Sequence, residues 1–198
     1  MKAILTSILL SLFMFCYGAS DYSKHKYTKQ LDKLTKVQQS TFLQGLEYGL
    51  DNELGYLMVA ISWKESNLGL DNINKTDGKH GSYSVYQILV DTAMKKLGIK
   101  KKHEWKLIGL KSRLLLDHNF AADLAVDELK YWYKVHKGNI KKTLASYNAG
   151  WKSTDSARGS AYAEDILLRV KVLEAKYGKI NTPINLAWIN KTQPKAKP

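Results

Sequence analysis

Residues 54–66 read LGYLMVAISWKES, and both the fold and the chemistry turn on them. Leu54, Met58, Ile61 and Glu65 recur at the 4-3-4 spacing of one helical face. That spacing predicts a helix from about Asn52 to Ser66 whose apolar stripe ends in a carboxylate. A carboxyl group on a core-facing stripe loses water, which disfavours its charged form and raises its pKa toward the range where it can donate a proton. The last turn of a helix pushes the same way, because the carbonyl end repels an anion. The alternative reading is that the helix simply ends there and Glu65 turns to solvent beside a lysine.

Working outward toward the N-terminus, Leu31, Leu34 and Val37 precede a polar turn from Gln38 to Thr41, and Phe42, Leu43, Leu46 and Leu50 follow it. The pattern predicts one helix that begins loosely and becomes amphipathic. Downstream, a polar, glycine-bearing stretch runs from Gly69 to Gly81, and Ser82 through Tyr86 to Val90 reads either as a short strand or as the entry to a helix. Helices are predicted over Phe120–Val135, Ile140–Tyr147 and Ser160–Tyr177. The last carries the stripe Tyr162, Ile166, Val170, Leu173 and Tyr177, and Gly178 stops it. All three prolines lie in the basic tail, 179–198. No internal repeat or second domain boundary is visible.

The chain has 198 residues, 44% hydrophobic and 25% charged, which suits one globular domain and excludes wholesale disorder, a collagen and a polytopic membrane protein. Its formal net charge of +13 calls for an anionic partner. Only Arg113, Arg158 and Arg169 are arginines, which weakens a nucleic-acid reading, since bidentate recognition of phosphate and base favours arginine over lysine.

Met1-Lys2, an apolar run from Ala3 to Tyr17 and the small residues Gly18, Ala19 and Ser20 have the form of a secretory signal peptide, 1–20, cut after Gly18 or Ser20. Export to the periplasm or beyond is the expectation. Cys16 is the only cysteine, so the cleaved chain has no disulfide and no thiol nucleophile. Lipidation of Cys16 is disfavoured by the bulky Phe15 before it. Residues 21–40 form a basic extension leading into the first helix.

Several segments occur in a telling order: Glu65-Ser66, then Ser84-Val85-Tyr86-Gln87-Ile88 with Thr92-Ala93, then Asp117-His118-Asn119-Phe120, Ser146-Tyr147-Asn148-Ala149-Gly150 and Tyr162. In them the chain resembles the soluble lytic transglycosylases of the goose-lysozyme-like group over roughly Leu54 to Val170. The hallmarks of that group are a Glu-Ser pair ending a helix, a Gly-Leu-Met-Gln segment and an Ala-Tyr-Asn-Ala-Gly segment. Ser84 stands where the family has glycine, Tyr86 where it has methionine, His118 where proline is common and Ser146 where alanine is usual. These departures bear on the shape of a saccharide groove more than on the chemistry.

The resemblance implies a mainly α, lysozyme-like single domain over 41–178, with a small loop or β region after the catalytic helix. It implies cleavage of peptidoglycan between N-acetylmuramic acid and N-acetylglucosamine, with Glu65 acting first as acid and then as base. The sugar's own C6 hydroxyl attacks the anomeric carbon, leaving a 1,6-anhydro end. Gln87 and Asn148 offer amides to N-acetyl groups and hydroxyls, or else satisfy buried backbone. Tyr147 and Tyr162 match family tyrosines near the glutamate; Tyr162 also belongs to a core stripe. Ser66 either supports the helix end or contacts substrate, Ser84 lies in the matched groove segment, and Tyr86 is either a groove wall or packing.

Two alternatives stay open. A two-carboxylate muramidase would recruit Asp71, Asp77 or Asp91, although Asp77-Gly78 also suits a turn and Asp91 before Thr92 a helix cap. A non-catalytic cationic wall binder would need no acid at all. Asp71 to Gly78 does not meet the requirements of an EF-hand loop, and the five histidines lack metal-ligand spacing, so no metal or other cofactor is expected. Expected partners are glycan strands and, on the basic surface, a protein of the envelope or of a secretion machine; nucleic acid is not expected, and a monomer is. The charge is blocky: residues 41–70 carry one lysine against four acids, whereas 95–116 carry seven lysines and Arg113 against Glu104. The second block reads as a tether to an anionic wall.

Overall fold

The computed structural model describes residues 22, 25–100 and 103–180. The signal segment, Cys16, Lys101, Lys102 and nearly all of the basic tail therefore lie outside the described residues.

The N-terminal part is two helices rather than one loose helix, α1 (Lys26–Leu31) and α2 (Lys36–Asp51). The physical reason is a capping box. Thr35 Oγ accepts from Gln38 N at 3.3 Å, and Gln38 Oε1 accepts from Thr35 N at 3.0 Å, so the stretch from Gln38 to Thr41 is early helix and not a turn. The buried face of α2 is Gln38, Thr41, Phe42, Gly45 and Gly49, while Leu43 and Leu50 face outward. Small residues on that face admit the next helix. A Cβ at Gly49 would overlap the carbonyl oxygen of Gly55.

That next helix, α3 (Tyr56–Ser66), starts four residues later than the periodicity predicts, because Glu53 and Gly55 take positive φ values of 60° and 47°. Every residue from Tyr56 to Trp63 is buried. α3 is thus the central helix, wrapped on all sides, and not one face of an amphipathic pair.

After α3 the chain forms a three-stranded antiparallel sheet in the order β1 (Ile73–Asn74), β2 (Ser82–Tyr83), β3 (Ile88–Leu89), with Ile73 opposite Tyr83 and Tyr83 opposite Ile88. The ambiguous run from Ser82 to Val90 therefore resolves into two strands and a tight turn, and Val90 opens α4 (Val90–Lys96). α5 (Glu104–Leu116) lies within the basic block, where no helix was predicted.

Asp117 then caps α6 (His118–Val135), its Oδ1 accepting from Phe120 N at 2.9 Å. α7 (Ile140–Ala149) is capped by Asn139 and leads through a 3₁₀ turn, Gly150–Ser153, into α8 (Ala157–Tyr177), capped by Ser156. On α8 the stripe Tyr162, Ile166, Val170 and Leu173 is buried, while Tyr177 is half exposed. The result is the mainly helical, lysozyme-like domain expected, with its small sheet directly after the central helix. Among the described residues no helix is long and apolar enough to cross a membrane.

Candidate active site

Glu65 lies in the last turn of α3, and the polypeptide leaves that turn through two left-handed residues, Asn67 (φ 53°) and Leu68 (φ 56°). Ser66 fixes the exit. Its hydroxyl contacts Ser62 O at 2.9 Å and Val85 O at 2.8 Å as donor and accepts from Gly69 N at 3.0 Å. The helix end is thereby tied to the β2–β3 turn, and Glu65 is aimed into the hollow between that turn and α7.

Glu65 is partly buried and its pKa is pushed up to about 7. Loss of water drives the rise, against the hydrogen bond from Tyr162 and the charge of Lys64, with a small further push from Asp77. Tyr162 donates its phenolic hydrogen to Glu65 Oε1. Burial and the neighbouring Glu65 hold that phenol well above its usual range, so it remains a donor.

A cleft of about 400 Å³ opens over the carboxyl group, lined by Glu65, Gln87, Tyr147 and Asn148 together with Asn74, Asp77 and Arg158. Gln87 has φ 49°, and its amide is engaged: Nε2 donates to Asp71 O at 2.8 Å and Oε1 accepts from Ser82 Oγ at 2.7 Å. It braces the sheet while forming part of the wall. Tyr147 donates to Tyr86 O at 3.1 Å. Asn148 differs, because its Oδ1 is shielded from water and takes no hydrogen bond within the protein. An unpaired acceptor in the wall of a cleft lacks the hydrogen bond that a ligand donor would supply.

A carboxylic acid that keeps its proton in part of the population near neutrality, a phenol on its oxygen and an unpaired amide acceptor in the cleft wall together suit proton transfer to a sugar oxygen. The model of the transglycosylase SLT domain matches residues 47–169. This chain belongs to that family. An SLT domain carries a lytic-transglycosylase type of function directed at peptidoglycan. The chain is also similar to an uncharacterised 20.7 kDa protein of the vs-regB intergenic region of Enterobacteria phage T4, 29% identical over 183 residues that cover 88% of this chain and 94% of that protein. No solved structure matches the chain significantly.

Within this SLT domain the expected site residues divide. Glu65, Gln87, Tyr147 and Asn148 line the cleft, and Tyr162 supports Glu65 from beneath. Ser66, Ser84 and Tyr86 do not line it: all three are buried behind the wall, as the helix-support reading of Ser66 and the packing reading of Tyr86 have it. Ser66 spends its hydroxyl on backbone, as above. Ser84 has φ 85°, a conformation that suits the glycine of the family, and its Oγ accepts from Tyr86 N at 3.2 Å. Tyr86 is fully enclosed and packs its ring 5.7 Å from that of the partly buried His118, so two departures from the family pattern touch each other.

The three aspartates separate as well. Asp91 is not the cap of α4, where Leu89 holds the cap position; it faces His80 Nδ1 at 3.0 Å. Asp71 is absent from the cleft lining, whereas Asp77 shares the cleft with Glu65 while standing beside Gly78 (φ 61°) in the loop. Among the described residues no group of His, Cys, Asp or Glu could hold a metal ion.

Sequence reasoning missed a charged cluster under the site. Asp165 accepts from Tyr27 and pairs with Lys64 at 2.8 Å and Arg169 at 3.2 Å. The guanidinium of Arg169 lies 4.2 Å from the Tyr27 ring and 4.7 Å from the Trp63 ring. The i,i+4 spacing of Asp165 and Arg169 was the only available signal. Lys96 and Glu128, paired at 3.1 Å, line the cleft too, so the basic block reaches into the site at its first residues.

Proposed function

We propose that this chain is an exported lytic transglycosylase that cleaves the β-1,4 bond between N-acetylmuramic acid and N-acetylglucosamine. One observation carries the reading: Glu65, largely shielded from water, hydrogen-bonded by Tyr162 and held near a pKa of about 7, lines the cleft together with Asn148, whose side-chain acceptor is unpaired. Near neutrality such a group is protonated in part of the population and ionised in the rest, which suits an acid that must next serve as a base.

In the first step the Glu65 carboxyl gives its proton to the bridging oxygen, the C1–O4 bond breaks and N-acetylglucosamine leaves with a free 4-hydroxyl. Positive charge develops at C1 of the muramic sugar. In the second step the Glu65 carboxylate takes the proton of the C6 hydroxyl while that oxygen bonds to C1. The acid is regenerated, and no water is consumed. Asn148 accepts from an N-acetyl or hydroxyl donor of the strand, and Tyr162 keeps the carboxyl oriented. Gln87 and Tyr147 shape the wall. Export rests on the N-terminal sequence pattern, and the lysine block from Lys95 to Arg113 supplies an attraction to the anionic wall that weakens as salt rises.

A hydrolytic reading has one observation behind it, the presence of Asp77 in the same cleft. There Asp77 would stabilise the charge at C1 or activate a water. A mass spectrum of wild-type digests of purified sacculi decides: anhydro ends support the proposal, and ends that have gained water overturn it. Glu65→Gln run beside it must abolish either product, and undiminished cleavage by that variant removes Glu65 from the mechanism.

A further inference from the structure

Beyond Tyr147 and Asn148 the cleft continues into a second hollow of about 750 Å³, which shares Asp77, Lys96 and Glu128 with the first and is walled by Tyr131, Trp132 and Trp151. Two of these rings are unusually open for their size: Trp151 is 63% exposed and Tyr131 51%. Both pack edge-on against Trp132, with ring centroids 5.2 Å and 4.9 Å away. Trp132 itself is buried and fixed from several directions. Its Nε1 donates to Glu128 Oε1 at 2.7 Å, and the His136 ring stacks on it at 5.7 Å.

His136 is fixed in turn. Its Nε2 lies 2.8 Å from Ser146 Oγ, which contacts Thr154 Oγ1 at 2.6 Å in a buried pair. Ser146 is one of the departures, standing where the family usually has alanine. The hydroxyl that this chain adds thus braces the ring stack. It also links α7 to the residue directly after the 3₁₀ turn that carries Trp151. A rigid buried indole holding two open aromatic rings at the mouth of a cleft is preorganised to bind, since little side-chain freedom remains to be lost.

We propose that Trp151 and Tyr131, held on Trp132, form a stacking subsite for one N-acetylhexosamine ring of a glycan strand, away from the bond cleaved at Glu65. The inference rests on the reading that this cleft takes glycan. A pyranose in the β-1,4 series has an apolar C–H face that packs on the negative face of an aromatic ring, and its rim of hydroxyls and amide needs polar partners. The Lys96–Glu128 pair at the junction of the two hollows supplies a donor and an acceptor. The subsite would let the strand be gripped at a distance from the reacting centre, which positions the scissile bond without touching it.

The test separates binding from turnover. The full chain carrying Glu65→Gln is titrated by calorimetry with a hexamer of β-1,4-linked N-acetylglucosamine, alone and with Trp151→Ala or Trp151→Tyr added. The expected result is saturable binding by the parent, about tenfold weaker with Trp151→Ala and largely restored with Trp151→Tyr, with circular dichroism unchanged across the set. Three results would overturn the subsite: no binding by the parent, equal binding by Trp151→Ala, or the same loss in Trp151→Tyr as in Trp151→Ala. The product spectrum from wild-type digests is independent of all three, so a failed subsite and a failed transglycosylase reading give different records.

Discussion

Tyr162, in the second turn of α8, donates its phenolic hydrogen to Glu65 in the last turn of α3, so two helices far apart in sequence share one proton donor at the cleft. The bond favours the ionised carboxyl and opposes the upward push of burial. Tyr162→Phe keeps the ring and removes this opposition, so the Glu65 pKa rises further. The expected outcome is an alkaline limb of the pH–rate profile displaced upward by roughly one unit from its wild-type position near 7, with a lower maximal rate. A limb that does not move would show that the phenol has no part in setting the acid.

Glu65 also has a stability signature. Its folded pKa of about 7 lies above the ordinary 4.5, so the folded chain holds a proton that the unfolded chain has already lost. Ionising the buried group therefore costs stability progressively as pH rises from about 4.5 to 7, and the full cost is present above that window. Glu65→Gln should stabilise the protein by about 1–3 kcal/mol near pH 8 and by close to nothing near pH 4, together with a loss of activity of about 10²-fold or more. Chemical denaturation at the two pH values checks the first part. A stability gain independent of pH would contradict the raised pKa.

Much of this site was legible before the structure, and the misses have physical causes. The stripe of Leu54, Met58, Ile61 and Glu65 pointed to a carboxylate that does line the cleft, yet α3 is buried from Tyr56 to Trp63 on every side, so the stripe does not distinguish a face. What marks Glu65 is its place where the buried helix emerges into a cleft. Gly45 and Gly49 lie on the packing face of α2 because close helix approach rewards small residues over leucine, and Gln38 is buried there because its amide donates to Asn67, neither of which a reading of apolar periodicity registers. α5 was hidden for a related reason: lysines interrupt it, and Trp105, Ile108 and Leu116 point outward while only Leu110 and Leu114 are buried. For Ser66 and Tyr86 the sequence left support and packing open beside substrate contact, and it placed Ser84 in the groove segment, because motif matching cannot tell the surface of a wall from its interior.

Asp77 separates the two chemistries. Its charge adds a small push to the Glu65 pKa, so Asp77→Asn lowers that pKa slightly. A transglycosylase needs no second carboxylate, and the variant should still yield anhydro ends at a rate within about tenfold of wild type. Rate and product are read together by mass spectrometry of timed sacculus digests. A fall of about 10²-fold or more would make Asp77 part of the chemistry.

The crossing of α2 and α3 is set by Gly49, whose carbonyl accepts from Leu54 N at 2.7 Å and Gly55 N at 2.8 Å while its missing side chain makes room for the Gly55 carbonyl. Gly49→Ala gains helix propensity of about 1 kcal/mol but forces backbone against backbone. The clash should win, giving a net destabilisation of about 1–3 kcal/mol in urea unfolding. A variant more stable than wild type would mean that the two helices separate freely and that Gly49 does not fix their crossing.

Asp165 ties the first helix to the site. Burial pushes its carboxyl up, but hydrogen bonds from Lys64 and Tyr27 and the charges of Arg169 and Lys64 outweigh that push and hold it at about 2. The depressed pKa gives stability that is present above the ordinary 3.8 and is lost as pH falls toward 2. Asp165→Asn leaves the buried guanidinium of Arg169 against Tyr27 and Trp63 without its carboxylate, and frees Lys64. The expected cost is about 2–4 kcal/mol near neutral pH, shrinking in acid as the wild-type carboxyl protonates. It should also loosen α1, which docks on α8 through Tyr27, so amide exchange in residues 26–31 should quicken more than in α6. If the cost is the same at pH 2 and pH 7, the Asp165 charge contributes nothing, and the cluster is held by ring stacking alone.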